Sequence, residues 1–406
     1  MRVAQRWFPQ PFALVDDGDK QRRIWATRVL NRLTEIHIYA EDAAGCLDSG
    51  LRELNVSEPA GPSPELGKAY AVMAVVLGAV PQLRGLASHW AARAIEVTER
   101  ADGANAALAY VLSRVAIVDL YDAKWPGAER KLQRAADVAR TFGDRRLRVE
   151  ALGVHGITLF FAGRYREAQT NFESMKSSAH FSNNVQIQAW ATLMTAAVHA
   201  RTGTAEDASA QYAQIADWVA KNATKSEVLW ANGIEALARA RRGDAKGALE
   251  LADGLLPYIQ KRPVAYWVQH ALAAVAETFL LLWSKAPPRS PEAALLRAKA
   301  AIGCLALRRF GGAFPFGRPQ ALLWDGVFEQ QAGQPAKAAQ LWQRCVATCD
   351  KLNMPWESAL AKRELGRYLP KSDPQRNVWL DQAIEELETL GARWDLDLAG
   401  HERWKA

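Results

Sequence analysis

Apolar residues recur along this chain in a fixed stripe. Ala128, Leu132 and Ala135 stand at i, i+4 and i+7, as do Ala168, Phe172 and Met175, and Ala208, Tyr212 and Ile215. That spacing puts three side chains on one face of an α-helix. Ala128, Ala168, Ala208 and Ala248 are each 40 residues apart. A break precedes each of them, at Ala123, Gly163, Gly203 and Gly243, with the same 40-residue period, and Trp125, Tyr165, Ala205 and Ala245 follow the breaks in step. Beyond residue 248 the step lengthens to 45, through Ala293, Ala338 and Ala383, and Ala87 lies 41 residues before Ala128. Trp342 and Leu387 at i+4, and Leu255, Cys345 and Leu390 at i+7, carry the stripe onward, while Arg297 interrupts it.

Self-similarity at this period marks a stacked-repeat protein. Each unit reads as two helices. The small alanine lets the second helix approach its partner, and the larger residues at i+4 and i+7 fill the next groove. Glycine at the break fits a left-handed turn that side chains disfavour. Pro126, Pro335, Thr204 with Asp207, and Asp244 fit helix starts. No alternating strand pattern competes. The Pro/Gly-rich stretches 57–64, 285–291, 309–319 and 369–375 fall between units and read as loops. The expectation is an all-α, right-handed α-solenoid of about nine antiparallel helix pairs in one domain, 1–406. A divergent N-terminal pair occupies 1–63, repeats fill 64–392, and 393–406 cap the array.

Composition narrows the function. A hydrophobic share of 49% with 23% charged residues describes a folded chain. The net charge of +7 is spread without long single-sign blocks, and no RNA-binding signature or metal finger accompanies it, which argues against nucleic acid as a partner. Four cysteines form no secreted disulfide framework, and Cys345 and Cys349, one turn apart, read as helix packing. The start, MRVAQRWFPQPFALVDDGD, lacks the apolar core of a signal peptide. The most apolar window, 265–283, carries Gln269, His270 and Glu277 and reads as a buried helix instead of a membrane span, so a cytoplasmic setting is expected. The seven histidines show no metal spacing, no serine sits in a G-x-S-x-G elbow, and no P-loop is present. No catalytic residue, metal ligand or cofactor is assigned. Two carboxylate pairs, Glu41 with Asp42 and Asp119 with Asp122, suit either acid–base chemistry or an ordinary helix-end role.

The run Gly156, Leu159, Gly163, Tyr165, Ala168 and Phe172 resembles the tetratricopeptide repeat, with a longer unit than that family's usual 34 residues. The phrases LGVHGITLFFAGRYREA, RPVAYWVQHALAAVAETFL and FPFGRPQALLWDGVFEQQAGQPAKAAQLWQRC are similar to the C-terminal repeat region of bacterial signalling proteins. Those proteins carry a class III adenylate/guanylate cyclase domain and an AAA/STAND-type ATPase module. The resemblance implies a non-enzymatic interaction or effector-sensing module, acting on a cyclase/ATPase module in cis or in trans. It implies nothing about the ligand, and the nucleotide chemistry does not carry over.

In such an array the first helices line a concave groove. Counting from Ala116, Gly156, Ala196 and Ala236 places Tyr110, Ser113, Tyr121, Glu150, Phe160, Phe161, Trp190, Arg201, Trp230 and Arg241 on it. Of these, Tyr110, Tyr121, Glu150, Phe161, Trp190, Arg201, Trp230 and Arg241 are the candidate contacts for a protein, a peptide or a small effector. Stacking and bidentate contacts would hold it. The plainer alternative wedges the tryptophans between repeats and sets the arginines against nearby helix ends. The Lys/Asn set by which chaperone-binding tetratricopeptide domains hold a C-terminal carboxylate is absent, which argues against that partner class. A second functional reading is a small-molecule enzyme or carrier, with Asp119, Asp122 and Glu150 as acids and Tyr110, Trp190 and Trp230 as walls. The loop RRFGGAFPFGRP suits either a docking loop or one whose aromatics tuck beneath the array.

Overall fold

The computed structural model describes residues 17–101, 105–181, 183–260 and 265–404. Most of the stretch read against a signal peptide, and the last two residues of the expected cap, lie outside these. Every regular element among the described residues is helical. The helices pair in chain order: α1 (Asp17–Tyr39) with α2 (Ala43–Ser57), α3 (Pro64–Gly78) with α4 (Arg84–Arg100), and α5 (Asn105–Tyr121) with α6 (Trp125–Thr141). Next come α7 (Arg145–Phe161) with α8 (Tyr165–Phe181), α9 (Val185–Thr202) with α10 (Ala205–Asn222), and α11 (Lys225–Arg241) with α12 (Ala245–Ile259). The last three pairs are α13 (Gln269–Lys285) with α14 (Pro291–Ala313), α15 (Arg318–Gln331) with α16 (Pro335–Leu352), and α17 (Pro355–Tyr368) with α18 (Pro374–Leu390). A final helix, α19 (Arg393–Trp404), follows. Among the described residues this is the all-α solenoid class, with nine antiparallel pairs. The chain divides into two compact units, Met1–Leu120 with Pro126–Val154, and Tyr121–Trp125 with His155–Ala406.

The alanine ladder is the packing seam. Ala87, Ala128, Ala168, Ala208, Ala248 and Ala338 are almost fully buried, and each is the fourth residue of its helix. Buried partners follow them at i+4, i+7 and i+11, as in Leu132, Ala135 and Ala139 of α6 or Phe172, Met175 and Ala179 of α8. Where the i+4 residue is a fully buried aromatic, glycine faces it. A Cβ on Gly156 would sit 2.1 Å from Phe172 Cε1, and one on Gly326 would sit 2.3 Å from Trp342 Nε1. Large side chain and bare backbone are complementary at both rungs.

The turns follow the expectation with one exception. Ala123, Gly163 and Gly243 take the left-handed conformation, at φ +57°, +77° and +88°. Gly163 is also hemmed in, since a Cβ would lie 2.7 Å from Pro355 Cγ. Gly203 is extended instead, at φ −102° and ψ −156°. There α9 runs to Thr202, and a capping box takes over directly: Asp207 N donates to Thr204 Oγ1 at 3.1 Å while Thr204 N donates to Asp207 Oδ2 at 2.9 Å.

The register slips at two places. In α14, Leu296 takes the place expected of Arg297, which is exposed and lies over the Trp283 ring at 6.0 Å. In α18 the ladder position is held by Arg376 and not by Ala383, because Arg376, Leu380, Ala383 and Leu387 form the buried stripe. Arg376 Nη1 donates to the carbonyls of Gly366, Arg367 and Leu369, and Nη2 to that of Glu402 at 2.9 Å. Its long side chain fits there because it satisfies the orphan carbonyls where α17 ends. The stretch 309–319 is not a loop either. Its first part completes α14, a single 3₁₀ turn spans Pro315–Gly317, and α15 begins at Arg318. Phe310, Phe314 and Phe316 are wholly buried, which is the tucked arrangement.

Candidate functional site

Two of the eight sequence candidates belong to the first unit. Tyr110 is buried in α5, with the Arg114 guanidinium 4.9 Å and the Lys68 ammonium 5.5 Å from its ring centre. Glu150 in α7 accepts from Arg114 at 3.1 Å and from Arg146 at 2.7 Å. The acids of the enzyme reading are tied up in the same way. Asp119 pairs with Lys131, and Asp122 with Lys124 at 3.0 Å.

The other six lie in the second unit. Tyr121 packs against Phe314 at 4.9 Å and Tyr266 at 5.9 Å, and Phe161 against Phe316 at 4.7 Å. These two belong to an internal aromatic cluster. Trp190 donates through Nε1 to Glu227, whose carboxylate also closes the capping box of α11 with Thr224. Trp190 is thereby bound to a helix start. Trp230 packs edge-on against His270, 4.9 Å between ring centres.

Arg201 and Arg241 behave differently, and the structure brings them together. Both line one partly open pocket of about 20 Å³, the scale of a single water. Its lining also includes Phe160 from α7, Ile234 from α11, His270 and Glu277 from α13, and Trp356 from α17. All twelve lining residues come from first helices of their pairs. Arg241 ends α11. Its Nη1 donates to the Ala200 carbonyl at 2.8 Å, near the end of α9, and its Nη2 to Glu277 at 2.7 Å. Both partners of that ion pair are buried.

Arg201, in the last turn of α9, is 7% exposed and makes no ion pair among the described residues. Its guanidinium lies over the Trp356 ring, 3.1 Å from the centroid, and 5.7 Å from that of Phe160. Among the described residues its Nη1 has no hydrogen-bond partner, nor have Arg241 Nε, Trp356 Nε1 and both ring nitrogens of His270. Burial, with the Arg201 charge adding to it, pushes His270 down to about 3, so the ring is neutral. Burial raises Glu357 against the opposing pull of Arg201, and Gln320 Nε2 donates to that carboxyl at 2.8 Å.

The structure thus unites Arg201 and Arg241, sets Trp230 behind them against His270, and disperses the remaining candidates. His270, Glu277 and Trp356 were not among the eight. The first two had a signal, being polar interruptions seven residues apart in an apolar window. Trp356 had none, since it stands in the pair where the repeat register slips. Among the described residues no group of three or more His, Cys, Asp or Glu is placed to hold a metal ion, and no helix is long and apolar enough to cross a membrane.

No family model matches the chain, and no curated protein does. Among solved structures it is similar to the Rap conjugation gene regulator of the plasmid pLS20, determined in complex with the Phr* peptide. The superposition has a TM-score of 0.41 at 10% identity and spans 90% of this chain and 96% of that one. A likeness at this level says nothing of what this chain binds.

Proposed function

We propose that this chain is a non-enzymatic interaction or effector-sensing module of a signalling protein, and that the pocket around Arg201 is its recognition element. The observation that carries the reading is the origin of the lining. Five first helices, from α7 to α17, contribute every wall residue, as a repeat array does when one face is given to recognition. A ligand seated there touches several hairpins at once, so its binding energy acts on their mutual packing. On the resemblance described above, the element so biased is a cyclase/ATPase module in cis or in trans, in the cytoplasm.

The test is native purification followed by mass spectrometry of retained small molecules and proteins, in parallel for the wild-type chain and Trp356→Leu. The expected result is a species retained by the wild type and lost from the variant. ATP and GTP turnover should not exceed that of a mock purification, and turnover above it rejects the reading.

A further inference from the structure

We infer that the pocket is a subsite for the carboxylate of a small organic acid, held on the free edge of Arg201; this rests on the recognition role proposed above. The pocket lining carries three formal charges, those of Arg201, Arg241 and Glu277. Arg241 and Glu277 neutralise each other at 2.7 Å, which leaves Arg201 as the lining charge without an ion pair among the described residues, and burial disfavours ionisation of Glu357, the carboxyl that Arg201 pulls on. A buried guanidinium without an ion pair is costly, and a monoanion removes that cost.

Arg201 Nη1, Arg241 Nε and Trp356 Nε1 are donors without acceptors among the described residues, and neutral His270 supplies one more N–H. Four such donors on residues that line one small pocket call for an acceptor with several lone pairs. A carboxylate provides about four acceptor positions on two oxygens. A bound water offers only two, and it leaves the charge standing.

The Arg201 guanidinium carbon lies 3.1 Å from the centre of the Trp356 ring. A planar two-oxygen group is the anion that matches a guanidinium's paired N–H groups best. The enclosed space is on the scale of one water, so only the carboxylate head enters it, and the body of the acid stays at the open side of the pocket, where Phe160 and the alanines of α9 and α13 offer apolar surface. So small a space suits a planar carboxylate head better than the tetrahedral, dianionic head of a phosphate. A dianion would also overshoot the single positive charge.

The experiment titrates the full chain with sodium benzoate, benzamide and sodium phosphate, followed by tryptophan fluorescence and calorimetry. Benzoate should bind saturably, with benzamide and phosphate at least about tenfold weaker. Arg201→Met should lose benzoate affinity by about tenfold or more, and Trp356→Phe, which keeps a ring but not the N–H, by about three- to tenfold. Circular dichroism of both variants checks that they are folded. If Arg201→Met is not, Trp356→Phe with the benzoate/benzamide pair carries the test. Equal binding of benzoate and benzamide, tighter binding of phosphate, unchanged benzoate affinity in a folded variant, or no saturable benzoate binding up to about 10 mM each overturn the assignment. If native purification retains a ligand while these probes show no discrimination, the module reading stands and the carboxylate assignment falls.

Discussion

The glycine–aromatic rungs make a prediction whose sign differs from the usual one. Alanine is a better helix former than glycine by about 1 kcal/mol, so Gly→Ala inside a helix normally stabilises. At Gly156 it should not. The added methyl would lie 2.1 Å from Phe172 Cε1 and 2.7 Å from Cδ1 and Cζ, all far inside contact distance. Phe172 is 1% exposed and cannot swing into solvent. Overpacking costs about 1–3 kcal/mol, and with Phe172 locked in place the upper part of that range applies, about 2–3 kcal/mol, so after the propensity gain of about 1 kcal/mol Gly156→Ala should lose about 1–2 kcal/mol. Gly254 in α12 is the control, because it is exposed and a Cβ there meets nothing within 4 Å. Gly254→Ala should gain about 0.8–1 kcal/mol. The assay is urea unfolding by circular dichroism at unchanged slope, with hydrogen exchange of the α7 and α8 amides to localise the loss. Phe172→Leu makes room for the methyl, so the double variant should be more stable than the sum of the single losses. A Gly156→Ala protein as stable as wild type, or a strictly additive double variant, refutes the argument.

Three further outcomes are expected. Ala123 holds φ +57°, a conformation costing a side-chain-bearing residue about 1–2 kcal/mol, so Ala123→Gly should gain a net 0.5–1 kcal/mol, roughly, in urea midpoint after the added unfolded-chain entropy is subtracted. Burial pushes Glu53 in the first unit up to about 8 from 4.5, against hydrogen bonds from Asn31 and Thr34 and the charge of Lys68, with Glu35 adding to the rise. The unfolded chain releases that proton first, so the contribution is whole below pH 4.5 and lost as pH climbs to about 8; Glu53→Gln should flatten the decline seen in urea midpoints across that range. Arg201→Met, removing a buried cation without an ion pair, should raise the thermal midpoint of the ligand-free chain, and a lowered midpoint would show that Arg201 is paired in solution.

The helix pairs were legible because their rule is local and periodic. A small residue, then bulk at i+4 and i+7, is the same requirement at every rung, and alanine meets it almost everywhere. The failures come where another group satisfies the backbone. Thr204 and Asp207 cap α10 so tightly that Gly203 needs no left-handed turn, and Arg376 fills an alanine slot by binding four carbonyls. The stretch 309–319 looked like a loop because three glycines and two prolines are concentrated there. Yet a Cβ on Gly317 would strike Phe310 Cδ1 at 2.3 Å, so that glycine serves close packing. The candidate groove was legible only in part for a related reason. Repeat register says which face a residue shares, and it found Arg201 and Arg241. It does not say which polar groups are already engaged, and that separates Trp190, bound to Glu227, from the unsatisfied Arg201.

Arg376 also sets a limit on how this protein can be shortened. One of its two terminal nitrogens serves the end of α17 and the other reaches the backbone of α19, at Glu402. Trimming the chain before Arg393 would therefore do more than remove a peripheral helix. It would leave half of a sunken cation facing nothing, inside the last hairpin. Any minimal fragment used for binding work has to retain the final helix, or exchange that arginine for the alanine that the other rungs carry.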